Sequence, residues 1–498
     1  MELGSEEEVP AQIIPVAEVE AWTATVDVVI VGYGMAGVCA AIAAAESGAE
    51  VLVLERSSGL TGTTTAAAGH FYLGGGTAVQ TACGFADSAE DLARYLTAVM
   101  LTPDAAKIDA FSKGSAAHFD WLEAHGVPFD RSYYPTKAVI QPGRDCLIWT
   151  GNEKVWPFRI EARPAPRGHK VAFDGEEGGG ALALNKLAES ARLRGVDARY
   201  DMKVDGLIVE DGRIIGVRAR HFGVSVDFQA RSGVILATGG YGRSAAMMAE
   251  HLPKFADLYI QGGPYDDGLG IRLGLAAGGV ADHMDRPFLT APFYPPEQLV
   301  KGVLINRNGV RFVPEDAYHS RSSIAIADQP DGIAYLVVDA DIFAYPSWSE
   351  QANQQLVDGF ETVESVEQGL ELPAGSLSAT LKAYNQFAAA GEDPTFGKHP
   401  DWLKPLNPPF AAFDLSFGRA IYTGFTLGGL RVTADGEVLS ERNRVVPGLY
   451  AAGACASTLA QDSYGYASGM SLGEASFFGR QAGAHAALQL AVEQGLEP

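Results

Sequence analysis

The tightest constraint on this chain lies near its start. The apolar run 26–31 (VDVVIV) leads straight into Gly32-Tyr33-Gly34-Met35-Ala36-Gly37, and an Ala-rich stretch follows at 38–47. Gly48 and a second apolar run at 51–54 come next, and that run stops on Glu55. A short unbroken run of β-branched residues suits a strand buried on both faces. The Ala-rich stretch predicts a helix, with Gly48 at its C-terminal end. Strand, glycine turn, helix and strand together make a βαβ unit, the only setting in which GxGxxG carries weight as a dinucleotide fingerprint. Gly32 permits the tight turn, Gly34 lets backbone approach a pyrophosphate and Gly37 lets helix pack closely on strand. The first helical N–H groups, at Met35 and Ala36, bring partial positive charge to the phosphates. Glu55, eighteen residues beyond Gly37, stands where a carboxylate accepts hydrogen bonds from ribose hydroxyls. Residues 26–45 approach the roughly 20-residue length of a membrane span, but the glycines and Asp27 inside them favour the βαβ unit.

Composition narrows the class further. At 498 residues and 47% hydrophobic, the chain can bury a large core in two or three domains, or in one discontinuous domain with an insertion. A formal charge of −24 repels nucleic acid and anionic lipid alike. The four cysteines, Cys39, Cys83, Cys146 and Cys455, have no CxxC spacing, so neither a disulfide framework nor a metal site is expected. The first nine residues hold Glu2, Glu6, Glu7 and Glu8 and no basic residue, the wrong charge for a targeting peptide. A cytoplasmic protein with no transmembrane segment is expected.

Residues 61–77 (TGTTTAAAGHFYLGGGT) are too rich in Gly, Thr and Ala for a packed element, and predict a loop whose backbone approaches a ligand at Thr61, Gly62, Thr63, Thr64 and Gly69. Helical periodicity runs through 88–125, and long loops are expected from about 135 to 180. A helix at 181–194 precedes a three-strand meander at 204–209, 214–219 and 224–228. A further apolar strand at 233–236 ends on Ala237-Thr238-Gly239, small residues suited to meeting the dinucleotide. From about 276 to 420 the character changes to Pro clusters (Pro292, Pro295, Pro296 and 405–409), aromatics and two amphipathic helices. An inserted domain is expected there. The glycine turn 448–453, which ends on Gly453, and a long final helix return to the first domain. The expected class is α/β: an acidic segment at 1–22, a Rossmann-like FAD-binding domain at 23–275 and 424–498, and a smaller capping domain at 276–423.

FAD is favoured over NAD because a long ligand needs contacts from distant segments, and 61–77, 237–240 and 448–453 supply them. No second GxGxxG follows a strand, so electrons are expected to enter or leave through a separate diffusible partner.

The stretches GYGMAG, LERSSGLTGTTTAAAGH, VILATGGYG, DDGLGIRLGLAAGG, INRNGVRFVPED, VPGLYAAGACAS and SLGEASFFGRQAG resemble, in order, the fumarate reductase and succinate dehydrogenase flavoprotein superfamily. The resemblance implies FAD held partly through Arg56, Ser471 and Leu472, with the substrate between flavin and cap. Covalently flavinylated members have a histidine near the position of Thr63, Thr64 and Thr65, and His70 lies beyond it, so noncovalent FAD is implied. Members acting on dicarboxylates carry HGxNRLGGNSL, in which His and Arg grip carboxylates. Here Asp462 replaces the His and Tyr466 the Arg, which makes fumarate and succinate poor candidates. The segment SYGYASGMSLGEASFFGR and Tyr318, just after RFVPED, most resemble the 3-ketosteroid Δ4-(5α)-dehydrogenases. That likeness implies a 3-ketosteroid substrate, with Tyr466 and the Gly469 N–H on the keto oxygen and Tyr318, assisted by Ser468, as the base; the two tyrosines are interchangeable at this level. Tyr464 is expected as a pocket wall, and Arg321 as an ion-pair partner of Glu315 or Asp316. The alternatives are a Δ1-dehydrogenase or an enoate reductase of the same superfamily, and a flavin-binding isomerase or non-redox binding protein.

Overall fold

The computed structural model describes residues 10–290, 293–347 and 356–493. Glu2, Glu6, Glu7, Glu8 and Pro292 fall outside them. The βαβ unit forms as the sequence predicts. Strand Trp22–Val31 pairs in parallel with Val51–Leu54, and helix Met35–Glu46 lies between them in sequence. Together they enter a nine-stranded sheet. Gln12–Pro15, inside the acidic segment, adds to the same sheet beside Met202–Glu210.

Two expectations are revised. The strands foreseen at 224–228 and 233–236 are one strand, Val224–Leu236. Its first half runs antiparallel to Arg213–His221. Its second half lies parallel to both Trp22–Val31 and Val445–Ala451, with Val234 opposite Val29 on one side and Leu449 on the other. Arg231-Ser232-Gly233 mimics a turn in sequence, but Arg231 ion-pairs with Asp27 and Glu50 and the chain continues through a register shift. The second revision concerns 61–77, which is not a bare loop: it contains helix Thr63–Ala66 and strand His70–Tyr72. Small residues on two segments let their backbones touch, since a Cβ at Gly180 would lie 2.2 Å from the Thr64 carbonyl oxygen. Such packing leaves no hydrophobic period to read.

The long loops at 135–180 hold two short strands, Leu147–Ile148 and Gly168–Lys170, and helix Phe158–Glu161. Lys170 is fully buried there, and its Nζ donates to the carbonyls of Gln141 and Gly143 at 2.9 and 2.7 Å. Residues 303–414 contain a four-stranded sheet ordered Val303–Asn306, Ala334–Asp339, Phe410–Asp414 and Leu356–Phe360. A smaller sheet joins Tyr259–Ile260, Thr423–Thr426 and Pro287–Thr290.

The final helix, Met470–Glu493, packs along the fingerprint helix Met35–Glu46. Glycines make the contact close: Cβ atoms at Gly479 and Gly483 would lie 2.4 and 2.1 Å from the carbonyl oxygens of Ala36 and Ala40. The segment just before this helix is held by other partners: the Ser468 N–H donates to the Thr150 carbonyl and the Gly469 carbonyl accepts the Tyr72 N–H. No helix among the described residues is long and apolar enough to cross a membrane.

Candidate functional site

The glycine turn has the shape a dinucleotide needs. Gly32 has φ 101°, and a Cβ on it would lie 2.4 Å from the Ala237 carbonyl oxygen. A Cβ on Gly37 would lie 2.0 Å from the Gly32 carbonyl oxygen, so helix and turn touch backbone to backbone. Gly34 faces looser space, with Thr64 Oγ1 its nearest neighbour at 3.4 Å from the notional Cβ, and the Met35 N–H donates to that hydroxyl at 3.1 Å. Glu55 accepts the Tyr33 N–H on one oxygen, and the Ser57 N–H and hydroxyl on the other, each at 2.8 Å. These bonds fix the carboxylate at the strand end and leave it lone pairs for ribose hydroxyls. Gly453 meets the fingerprint helix, its notional Cβ lying 2.9 Å from that of Ala36. Gly69 packs on Gly179 and Thr238 on Gly270. Thr61 and Gly62 lead into the helix at Thr63, and Leu472 lies in the first turn of the final helix. These residues fit FAD: a cradle closed to side chains, N–H donors at a helix start and a carboxylate beyond the second strand.

The structure also brings in residues that sequence reasoning missed. Arg56 ion-pairs with Asp267 at 2.6 Å, and Thr63 donates its hydroxyl to Asp266. Burial raises the Asp266 carboxyl to about 6, against the pull of Thr63 and the Gly263 N–H. A Cβ on Gly239 would lie 2.2 Å from an Asp266 oxygen. The acidic pair stands in the DDGLG stretch, but nothing in that pattern said which glycine it would face. His70 is buried and shares a 2.7 Å hydrogen bond with Gln141, and burial holds it at about 4.

Beyond the cradle, Tyr318, Ser468, Tyr466 and Ser471 converge from segments about 150 residues apart in sequence. The hydroxyls of Tyr318 and Ser468 are 2.5 Å apart, and the two tyrosine rings lie 6.4 Å apart. The Ser468 N–H is held by the Thr150 carbonyl at 3.0 Å. The hydroxyls of Tyr466 and Ser471 are 3.0 Å apart, and the Ser471 N–H, in the first turn of the final helix, points to the same phenol at 3.4 Å. Burial, reinforced by Tyr466, pushes the Tyr318 phenol well above its usual value, against the Ser468 bond. Burial also raises Tyr466, to about 12, with both Ser471 bonds opposing it. Gly469 has φ 95°, and a Cβ on it would lie 2.7 Å from the Tyr72 nitrogen, so only glycine fits.

Aromatic rings wall this cluster. Phe288 lies 4.5 Å from Tyr466 and 4.4 Å from Phe425, and His319 lies 4.0 Å from Tyr318. Asn152 ties the walls together, because its Oδ1 accepts the Tyr318 N–H at 2.9 Å and its own N–H donates to the Tyr95 hydroxyl at 2.9 Å. No sequence signal marks Asn152, which sits among the patternless loops.

Asp462 shapes the backbone around it. Its Oδ1 accepts the N–H groups of Tyr464 and Gly465 at 2.7 and 2.9 Å, folding the turn that presents Tyr466. Glu474, one turn into the final helix, accepts the N–H groups of Leu459 and Ala460 and the Thr458 hydroxyl. Tyr464 is half-buried and donates to Asp328 at 3.0 Å. The ion pair expected for Arg321 does not form among the described residues. Glu315 is taken by Arg311 and Lys398, Asp316 accepts the His399 N–H, and the Arg321 guanidinium lies over the Phe158 ring at 5.0 Å.

A sequence profile described as "FAD binding domain" matches residues 27–470. The chain is 26% identical to a 3-oxo-5-alpha-steroid 4-dehydrogenase of Comamonas testosteroni, over 87% of this chain and 93% of that protein. The crystal structure of 3-ketosteroid-delta4-(5alpha)-dehydrogenase from Rhodococcus jostii RHA1, in complex with 4-androstene-3,17-dione, superposes with a TM-score of 0.90 at 41% identity, covering 96% of this chain and 99% of that one. A 3-ketosteroid delta1-dehydrogenase from Sterolibacterium denitrificans shares the fold at 19% identity, with a TM-score of 0.69 over 93% and 99% of the two chains.

Proposed function

We propose that this chain, which belongs to the FAD binding domain family, oxidises 5α-3-ketosteroids by introducing a C4–C5 double bond. The observation that carries the proposal is the hydroxyl cluster of buried Tyr318 and Tyr466 with half-buried Ser468, set among aromatic rings beside the FAD cradle. The likeness to enzymes named for this reaction in Comamonas testosteroni and Rhodococcus jostii supports it.

FAD, when bound, supplies the acceptor for a hydride. The protein supplies the rest. If the Ser471 hydroxyl and N–H both donate to the Tyr466 oxygen, the Tyr466 proton is free to donate to the 3-keto oxygen. The Gly469 N–H is the second donor, and together they favour enolate character as an oxyanion hole does. That polarisation acidifies the C4 proton, and Tyr318 takes it as the phenolate, a form that is scarce because the buried phenol holds its own proton strongly. Ser468 then donates to the Tyr318 oxygen. The substrate loses the C4 proton to Tyr318 and the C5α hydride to the cofactor, and the C4–C5 bond becomes double.

In this reading residues 23–275 and 424–498 hold FAD and residues 276–423 cap it. FAD is noncovalent, since His70 is engaged with Gln141. A separate diffusible acceptor collects the electrons. The unpaired cysteines fit the cytoplasm. The test is anaerobic titration of the yellow protein with a 5α-3-ketosteroid, following flavin absorbance and locating the product's double bond. Bleaching with a 4-ene product is expected; a 1-ene product, or no bleaching, overturns the proposal.

A further inference from the structure

Three buried polar atoms beside the aromatic box have no hydrogen-bond partner among the described residues: His319 Nδ1, Ser322 Oγ and Thr290 Oγ1. His319 is 2% exposed, Ser322 1% and Thr290 8%. His319 and Ser322 are three apart on helix His319–Ala327 and so share a face. Phe288 and Thr290 are two apart on strand Pro287–Thr290 and share a face likewise. The two elements pack together, and the Phe288 ring stands 6.1 Å from His319, which turns those faces toward each other. A buried donor or acceptor left unpaired costs about 1–3 kcal/mol, and three in one seam point to an oxygen that belongs there.

We propose that this seam is a second polar subsite, in which His319, Ser322 and Thr290 take one uncharged oxygen, a hydroxyl or a keto group, on ring A or B of the substrate. The inference rests on the steroid reading above. Chemistry sets the charge. Burial, with Lys137 adding to it, lowers His319 to about 3, so the imidazole is neutral and the three side chains offer no counter-charge to a carboxylate. Neutral imidazole and hydroxyls can each donate or accept, which suits either oxygen function. Position sets the ring. The His319 ring is 4.0 Å from Tyr318, and Phe288 is 4.5 Å from Tyr466, so the seam adjoins the groups assigned to C4 and C3, not the far end of the skeleton.

The test measures kcat/KM of the FAD-loaded enzyme on unsubstituted 5α-androstan-3-one, on isomers with one hydroxyl on ring A or B, and on the 17-hydroxy compound. At least one ring A or B isomer should be preferred over the unsubstituted ketone by tenfold or more, as sites built to hydrogen-bond a substrate oxygen discriminate strongly. In His319→Phe that ratio should fall to within about threefold, and His319→Asn should retain part of it. Thr290→Val, a smaller change away from Tyr318, should also lower the ratio and guards against a His319→Phe protein that fails to fold. A ratio that survives both His319→Phe and Thr290→Val, or no preferred ring A or B isomer, overturns the subsite and leaves the three atoms holding a water only. If no steroid in the panel bleaches the flavin, the steroid reading itself falls.

Discussion

Tyr318 and Tyr466 differ in what their hydroxyls touch, and the roles proposed for them follow that difference. Tyr466 meets the N–H and hydroxyl of Ser471 in the first turn of a long helix, where partial positive charge favours electron density on the phenol oxygen. Among the described residues the Tyr318 hydroxyl meets that of Ser468, and burial, with Tyr466 beside it, raises the phenol well above its usual value. Tyr466→Phe should therefore lower kcat about 10²- to 10³-fold by removing an oxyanion donor. Tyr318→Phe should lower it about 10²- to 10⁴-fold by removing the base. Stopped-flow flavin bleaching on both variants checks this, and equal binding of FAD to each would show that the cradle is intact. The pH profile follows from the raised Tyr318 phenol. The base works deprotonated, that form is scarce at neutrality, and so kcat/KM should climb with pH through the neutral range without a plateau below about pH 10 in the wild type. A bell centred near neutrality would argue for a different base. Both tyrosines were legible in the sequence because each falls in a segment with recognisable neighbours. Asn152 and Phe288 were not, because a side chain that matters through burial among aromatics carries no spacing rule.

At the scale of elements, the contact between the fingerprint helix and the final helix aligns cofactor and chemistry. Gly479 and Gly483 are four apart and let the backbones of Met470–Glu493 and Met35–Glu46 touch. In sequence these glycines look like ordinary helix weakeners, and only the facing carbonyls of Ala36 and Ala40 reveal their purpose. The same holds for Val224–Leu236, which keeps Trp22–Val31 as a partner along both halves but shifts register and exchanges Arg213–His221 for Val445–Ala451 on its other edge, and so reads as two strands. Gly483→Val places branched carbons where the Cβ alone would be 2.1 Å from a backbone oxygen, which no rotamer relieves. The helices must separate, at a cost of about 1–3 kcal/mol or more for overpacking. The expected outcome is a lower Tm and weaker FAD retention on gel filtration, with kcat reduced also because Tyr466 and Ser471 precede and open this helix. Gly195→Ala, at a glycine whose added Cβ meets nothing within 4 Å, is the control for mutation alone; its φ of 81° still imposes some strain, so a small loss is expected there.

For the whole molecule, stability in acid should depend on one buried charge cluster behind the proposed base. Glu315 is fully buried; it takes Arg311 at 2.7 Å and Lys398 at 3.2 Å, and Arg311 also reaches Asp393 at 2.9 Å. Glu315 lies three residues before Tyr318 and also accepts the Leu304 N–H at 3.1 Å. The cluster therefore links the cap sheet to the segment bearing the phenol. Burial alone would raise this carboxyl, but Lys398 and Arg311 overcome it and hold the group at about 2, below the ordinary 4.5. Its folded value is depressed, so its contribution is present in full above about 4.5 and is lost as pH falls from there toward 2. Glu315→Gln should cost about 3–5 kcal/mol near neutrality, because Arg311 and Lys398 are left buried without their shared anion. It should also flatten that part of the acid decline, since the titrating group is gone. Urea melts of both proteins at pH steps between about 3 and 7 decide the matter: the difference between wild type and variant should shrink as the pH falls. A difference that stays constant across the series would mean that Glu315 stabilises the cap by packing and hydrogen bonding alone, with no electrostatic share.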